Sequence, residues 1–265
     1  MSYFKSIQLQ DENGVPYGVK QINGKPRTSS MDYLYDVAEG NVANHESLVI
    51  RGVLSNVPTA ETMIADGIIT PTTRWITAQQ LKVKSSSTAD TSAGTGARSV
   101  YLYGVDTNGA ALNELVTLNG TTAVTTTGSF VTVNYAVVAT AGTGGVNAGN
   151  ITINNNADTN AVEYIPIGFN RSMTSAWQTY ADQSMYILSL SASTGSAKTM
   201  TIRYYIAPAG GLFYREYIME LYAGVAQVTL PCPFAVPANS RVYVTGASSQ
   251  AGSRLIVTTQ AWVEQ

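Results

Sequence analysis

One histidine, His45, and one cysteine, Cys232, bound the nucleophile and metal chemistry open to this 265-residue chain. Any histidine-based triad must use His45, which sits in NVANHESLV beside Glu46 and Ser47. A triad is a matter of spatial geometry, and adjacency in sequence does not make one, so His45 reads as a surface or partner-facing residue. One Cys and one His do not assemble a zinc site with ordinary ligand spacing. Cys232 stands between Pro231 and Pro233 and reads as a packing residue. A lone cysteine also excludes an intrachain disulfide framework and fits a reduced compartment.

Oxygen-rich turns offer calcium chemistry. Asp106, Asn108 and Glu114 begin like a calcium loop, but the acid falls too early for a twelve-residue EF-hand. Asn154, Asn156, Asp158 and Asn160 cluster in the same way, and both sets read as turns, where Asx side chains bond their own backbone. Gly94-Thr95-Gly96-Ala97-Arg98-Ser99 imitates a phosphate loop, yet Ser99 stands where the third Gly belongs and strand formers follow instead of a helix. A glycosidase needs two carboxylates across a cleft, and among 17 acidic residues no pair stands out. Trp177 and Tyr180 head a run of aromatics reaching Tyr222 that could stack sugars; on strands of one region they read first as core and interface. No catalytic, cofactor or metal residue is nominated, and an enzyme is not expected.

The elements that would position these residues are strands. Ser99 to Tyr103, a turn at Asp106 to Gly109, Leu115 to Leu118, a turn at Asn119-Gly120 and a Thr-rich run to Thr127 form a β-framework. Asn-Gly between β-formers predicts a two-residue hairpin of type I′. Residues 71–160 read as a first β-sandwich region that also holds strands over Gln80 to Lys84, Phe130 to Thr140 and Asn150 to Asn154. Residues 161–265 read as a second, with strands over Met185 to Ala192, Met200 to Ile206, Leu212 to Leu221, Ala226 to Leu230, Arg241 to Gly246 and Leu255 to Val263. Residues 1–70, the richest in charge, read as an extended N-terminal arm that gains order on a partner. Its one expected helix is Thr59 to Asp66, capped by Thr59 and stopped by Gly67. The fold class is all-β: one or two β-sandwich or jelly-roll-like domains behind that arm.

Composition narrows the partners. Hydrophobic residues make up 45% but charged residues only 12%, about half the usual ~25%. Such a surface lacks the charge that keeps small domains apart, which suits contact with identical copies or a partner. A net charge of −2 argues against nucleic acid, which needs a basic stripe. No segment approaches the ~18–20 uninterrupted apolar residues of a membrane span, and MSYFKSIQLQDENG lacks the apolar core of a signal peptide. The expectation is therefore a chain that meets neither nucleic acid nor membrane and does not use the general secretory route as written.

TADTSAGTGARSVYLYGVDTNGAALNELVTLNGTTAVTTTGSFVTVN, followed by AGTGGVNAGNITI, resembles a pattern of structural proteins in tailed-bacteriophage virions. ADGIITP ahead of it is similar too, as are VEYIPIG, MYILSLSAS, AGGLFYREYIMEL and PCPFAVPANSRVYVTG after it. The resemblance implies a virion component present in many copies and assembled in the host cytoplasm. Within that class the arm, the low charge and the absence of coiled-coil heptads favour a capsid decoration (cement) protein. Its partners would be the major capsid protein and copies of itself, as a homotrimer. Tyr3, Phe4, Tyr33 and Tyr35 would be its buried aromatic anchors. The alternatives are a tail, neck or baseplate component, and a receptor- or glycan-binding module built on Trp177 and Tyr180.

Overall fold

β-branched and aromatic residues alternating with small polar ones dictate strands. The computed structural model, which describes residues 21–22, 25–26, 30–66 and 69–265, is built almost wholly from them. The chain divides into two compact units, Met1–Ser47 and Leu48–Gln265. The first holds the short pair β1 (Gln21–Ile22) and β2 (Lys25–Pro26) and the helix α1 (Ser30–Ala38). Gly40, at φ +73, stops α1: the Asn41 N–H reaches back to the Asp36 carbonyl (2.8 Å) and the Gly40 N–H to that of Val37 (3.1 Å). This is the Schellman cap. The stretch expected to be an extended arm therefore contains a helix, and Gly40 is its stop.

From His45 onward the elements are β3 (His45–Val57), β4 (Thr62–Met63), α2 (Pro71–Arg74), β5 (Lys82–Ser85), β6 (Ala97–Val105), β7 (Ala111–Thr117) and β8 (Val124–Thr125). There follow β9 (Thr132–Ala141), β10 (Ile151–Asn154), β11 (Ala161–Ile165), β12 (Ala176–Gln178), β13 (Ser184–Ala207), β14 (Tyr214–Val236), β15 (Arg241–Ser248) and β16 (Ser253–Glu264). The helix expected at Thr59 to Asp66 is instead β4 with its flanks, paired to Thr245 and Gly246 of β15. Its side chains explain why: Met63 and Ile64 enter two different cores, an alternation that extended backbone provides and a helical turn does not.

Two antiparallel sheets, β11-β10-β5-β8 and β7-β6-β9, share one core that includes Leu81, Val83, Leu102, Phe130, Ile151 and Ile153. The Asp106–Gly109 turn joins β6 to β7, its Asp106 carboxylate accepting the N–H groups of Asn108 and Ala110. The Asn119-Gly120 turn does not close the expected hairpin. Gly120 alone takes a positive φ (+61), where a type I′ turn needs two, and the chain passes from β7 in one sheet to β8 in the other.

The largest sheet rests on three long tracks. β13 and β14 pair from Met185↔Val236 to Ile206↔Tyr214. β15 pairs the C-terminal half of β13 and β16 its N-terminal half, so these two strands run end to end along one flank. All three tracks break at one level: the register shifts between Thr194 and Thr199, Ala223 and Gly224 take positive φ, and residues 249–252 interrupt the third. Met200, Ile202 and Ile206 from one half and Met185, Ile187 and Leu190 from the other lie in a single core. The sheet bends at that level and closes over its own apolar face, giving a sandwich made from shared strands. β3, β4 and β12 flank it, while β11, just past residue 160, completes a sheet of the preceding region.

Candidate interaction surface

Tyr3 and Phe4 lie outside the described residues, as do the side chains of Tyr33 and Cys232. Tyr35, on α1, is 66% exposed. Of the aromatics nominated for sugar stacking, Trp177 is only 7% exposed and stacks on Tyr135 at 6.0 Å. Tyr180 is half-buried. Burial denies Trp177 an open ring face, so the two do not make an exposed platform. His45 lies at the start of β3 with Nδ1 2.8 Å from the Ala43 carbonyl. Asp158, offered as a calcium ligand, accepts from Lys84 (2.6 Å) and Asn154 (2.6 Å), and these bonds hold its carboxyl below its ordinary range. Among the described residues no three His, Cys, Asp or Glu side chains gather as metal ligands.

The polar groups most deeply buried serve architecture. Asp90, the first residue of DTSAGTGAR, is fully buried. One carboxylate oxygen accepts the N–H groups of Ala97 (2.6 Å) and Ala148 (2.8 Å), the other the Gly149 N–H (2.9 Å) and the Ser85 hydroxyl (2.6 Å). The N–H groups that made the glycine loops look like an anion cradle are thus filled from within. Gly96 has to be glycine, because a Cβ there would stand 2.1 Å from the Asp90 carboxylate. Arg74 and Glu163, both with no exposure, pair at 2.7 Å. Arg74 also donates to the carbonyls of Asn134 and Ala176, and Glu163 accepts from Thr174 and from the Tyr164 N–H. One ion pair thereby touches β9, β11 and β12, which belong to three different sheets.

The surface that sequence reasoning missed is the outer edge of β14. Among the described residues this strand pairs only with β13, so no described strand covers the other flank of its 23 residues. Five of the twelve large apolar side chains exposed among the described residues lie on it or just before it: Leu212 (89%), Tyr214, Ile218, Tyr222 and Val225 (72%). Ala226, Val228 and Leu230 sit half-buried at the margin of the core. Native edges are blunted by charge or proline. Here Pro231 and Pro233 come late, and Leu221 to Leu230 contains neither. The sequence signal was the charge-free run LYAGVAQVTL, which alternation alone does not mark as an edge.

On the outward face of the bent sheet, Glu61 accepts from the hydroxyls of Tyr205 and Thr245 (2.6 Å each) and pairs with Arg203 at 3.5 Å. Burial alone would raise its carboxyl, but these hydrogen bonds and the charges of Arg203 and Arg215 outweigh it and hold the group below its ordinary value. Beside it Tyr243, buried and stacked on Tyr205, is pushed up to about 12.

No protein-family model and no curated protein matches the chain. Among solved structures it aligns with the VP2 subviral particle of infectious bursal disease virus at 10% identity and a TM-score of 0.17, covering 84% of this chain and 77% of that one. It aligns with the Gx strain of the same virus at 12% identity and a TM-score of 0.20, covering 88% and 82%. At such scores the likeness is one between strand-rich chains and carries no argument about function.

Proposed function

We propose that this chain is a structural protein of a virus particle whose work is contact: a capsid decoration (cement) protein of a tailed bacteriophage. It binds the outer shell, meets the major capsid protein and its own copies as a homotrimer, and stabilises the shell through inter-subunit contacts. The edge of β14, unpaired among the described residues and free of charge from Leu221 to Leu230, carries this reading, since a long open edge is a template for pairing with another chain. The low charge of the whole surface supports it, as does the sequence resemblance to phage virion proteins. Tyr35, exposed on α1, is one of the proposed anchors, with Tyr3, Phe4 and Tyr33.

Electron cryo-microscopy of the particle that carries this chain, together with a binding assay on particles stripped of it, tests the reading. The expected result is hundreds of copies on the shell, and a variant lacking residues 1–40 that stays folded but no longer binds. A dozen copies or fewer on the tail axis, or undiminished binding by the truncated chain, overturns the assignment to decoration.

A further inference from the structure

At one end of the second unit several chain segments converge around an open cleft of about 520 Å³, within the size range of small-ligand sites. They are the segment after α2, the β6–β7 turn at 106–109, the β13–β14 turn at 208–211, the end of β12 at Gln178, and the turn into β15. Trp75 and Ile76 give the cleft an apolar side; Asp106, Asn108, Gln178, Asn239 and Arg241 supply the polar groups. We infer that this cleft binds a neutral saccharide, a property separate from the particle contacts proposed above.

Arg241 is preorganised. Its guanidinium lies 4.8 Å from the Phe213 ring centre and 5.7 Å from that of Trp75, and one Nη donates to the Gly211 carbonyl. Trp75 is held in turn by Phe213 at 5.2 Å and Tyr243 at 5.9 Å. Asn239 adopts the left-handed conformation (φ +55), and its amide oxygen occupies the place where a Cβ on Gly109 would fall, 2.1 Å away. Gly109 therefore seats Asn239, and its carbonyl accepts the Ala181 N–H across the same junction. Non-glycine residues hold such backbone where the surroundings over-determine it, often at ligand sites.

The side-chain amides of Gln178 and Asn239 take no hydrogen-bond partner among the described residues, which leaves two donor-and-acceptor groups facing a cavity with an aromatic wall. Each sugar hydroxyl both donates and accepts, so a polyol satisfies amides, a carboxylate and spare guanidinium N–H groups together. One Asp and one Arg leave the lining without net charge. A phosphoryl group, all acceptors, would meet the Asp106 carboxylate with a single cation to offset it. The chemistry selects a neutral, hydroxyl-rich ligand.

Saturation-transfer NMR on the full chain, with the methyl glycosides of glucose, galactose and mannose, N-acetylglucosamine, glucuronate and glucose 6-phosphate as probes, tests this. At least one neutral probe is expected to bind, and more tightly than either charged one. Asn239→Gly, which suits the left-handed backbone, and Gln178→Ala, which breaks no bond, are each expected to weaken binding about tenfold with unchanged circular dichroism. Binding by no neutral probe, preference for a charged one, or full affinity in the double variant overturns the inference. The isolated chain is used throughout, so failure here leaves the particle reading standing, and the reverse.

Discussion

The two sandwiches of the second unit solve the same problem in opposite ways. The first, built from seven short strands, closes its loops with buried polar groups: Asp90 gathers three backbone N–H groups and a hydroxyl. The second, built on three long tracks, closes by bending them at one level and leaves β14 with a flank open among the described residues. A buried carboxylate with every bond made fixes one loop arrangement and presents nothing outward. A bent sheet with a bare edge leaves its last row of hydrogen bonds for another chain. The first sandwich is therefore the rigid partner of the pair, and the second carries the surface for contact.

Removing the centre of the closed sandwich should have the largest effect. Asp90→Ala leaves the N–H groups of Ala97, Ala148 and Gly149 buried without acceptors. At about 1–3 kcal/mol for each unmet group, not fully additive, the expected loss is about 3–5 kcal/mol, a large part of the stability of an ordinary domain. Asp90→Asn, which keeps one acceptor oxygen and turns the other into a donor, should fall between. Denaturant titration followed by circular dichroism measures both; a loss below about 1 kcal/mol for Asp90→Ala would show that the glycine loops hold themselves.

A smaller effect, tied to pH, belongs to the bent sheet. The Glu61 carboxyl is held below its ordinary 4.5 in the folded chain. Its contribution to stability is therefore present above that value and is lost as pH falls through the lower, folded one. The side chain is 35% exposed, so solvent screening keeps the effect under about 1 kcal/mol. Glu61→Gln should lower stability at pH 7 by that amount and converge with the parent chain under acid conditions, as thermal melts across pH 2 to 7 would show. A gap that persists at pH 2 would mean that Glu61 acts by packing.

The contrast between the sandwiches was only partly legible in the sequence. Asp106 to Gly109 reads correctly as a turn because its determinants are local: an Asx side chain bonding its own backbone and a glycine at positive φ. The Pro208 to Gly211 turn is equally local, with Gly210 at positive φ and the Gly211 N–H bonded to the Pro208 carbonyl. The role of Asp90 carries no local signal, because two of its partners, Ala148 and Gly149, lie 58 and 59 residues away. Met185 to Ala192 and Met200 to Ile206 read as two strands because STGSAK between them is poor in β-formers. They are one strand because β14 and the third track hold it: Ser249 donates its N–H to the Thr199 carbonyl and its hydroxyl accepts the Thr199 N–H. Trp177 reads first as core and interface with sugar stacking as the alternative, since aromatic type alone does not reveal burial; at 7% exposure it is core. Trp75 and Arg241, 166 residues apart, meet only in the folded chain.

The smallest effect on stability and the sharpest on assembly is expected at Gln227, exposed on β14. A surface substitution there should change stability by no more than about 0.5 kcal/mol. If copies associate through this edge as an isologous antiparallel pair, positions around Gln227 face their own symmetry mates, and a charge placed there meets an equal charge on the partner strand. Gln227→Lys and Gln227→Glu should each lower self-association, read by analytical ultracentrifugation, while circular dichroism stays unchanged. In an isologous pair an equal mixture of the two associates again, because Lys then faces Glu, whereas in the proposed trimeric ring the edge meets a different strand and the mixture stays apart. Misfolding could not produce that rescue, and neither could association through another surface. Loss of association without rescue would leave the edge in use but pair it with a different strand, in the head-to-tail manner that closes a trimeric ring. Undiminished association in both single variants would place the contact elsewhere and remove the contrast between a closed sandwich and an open one.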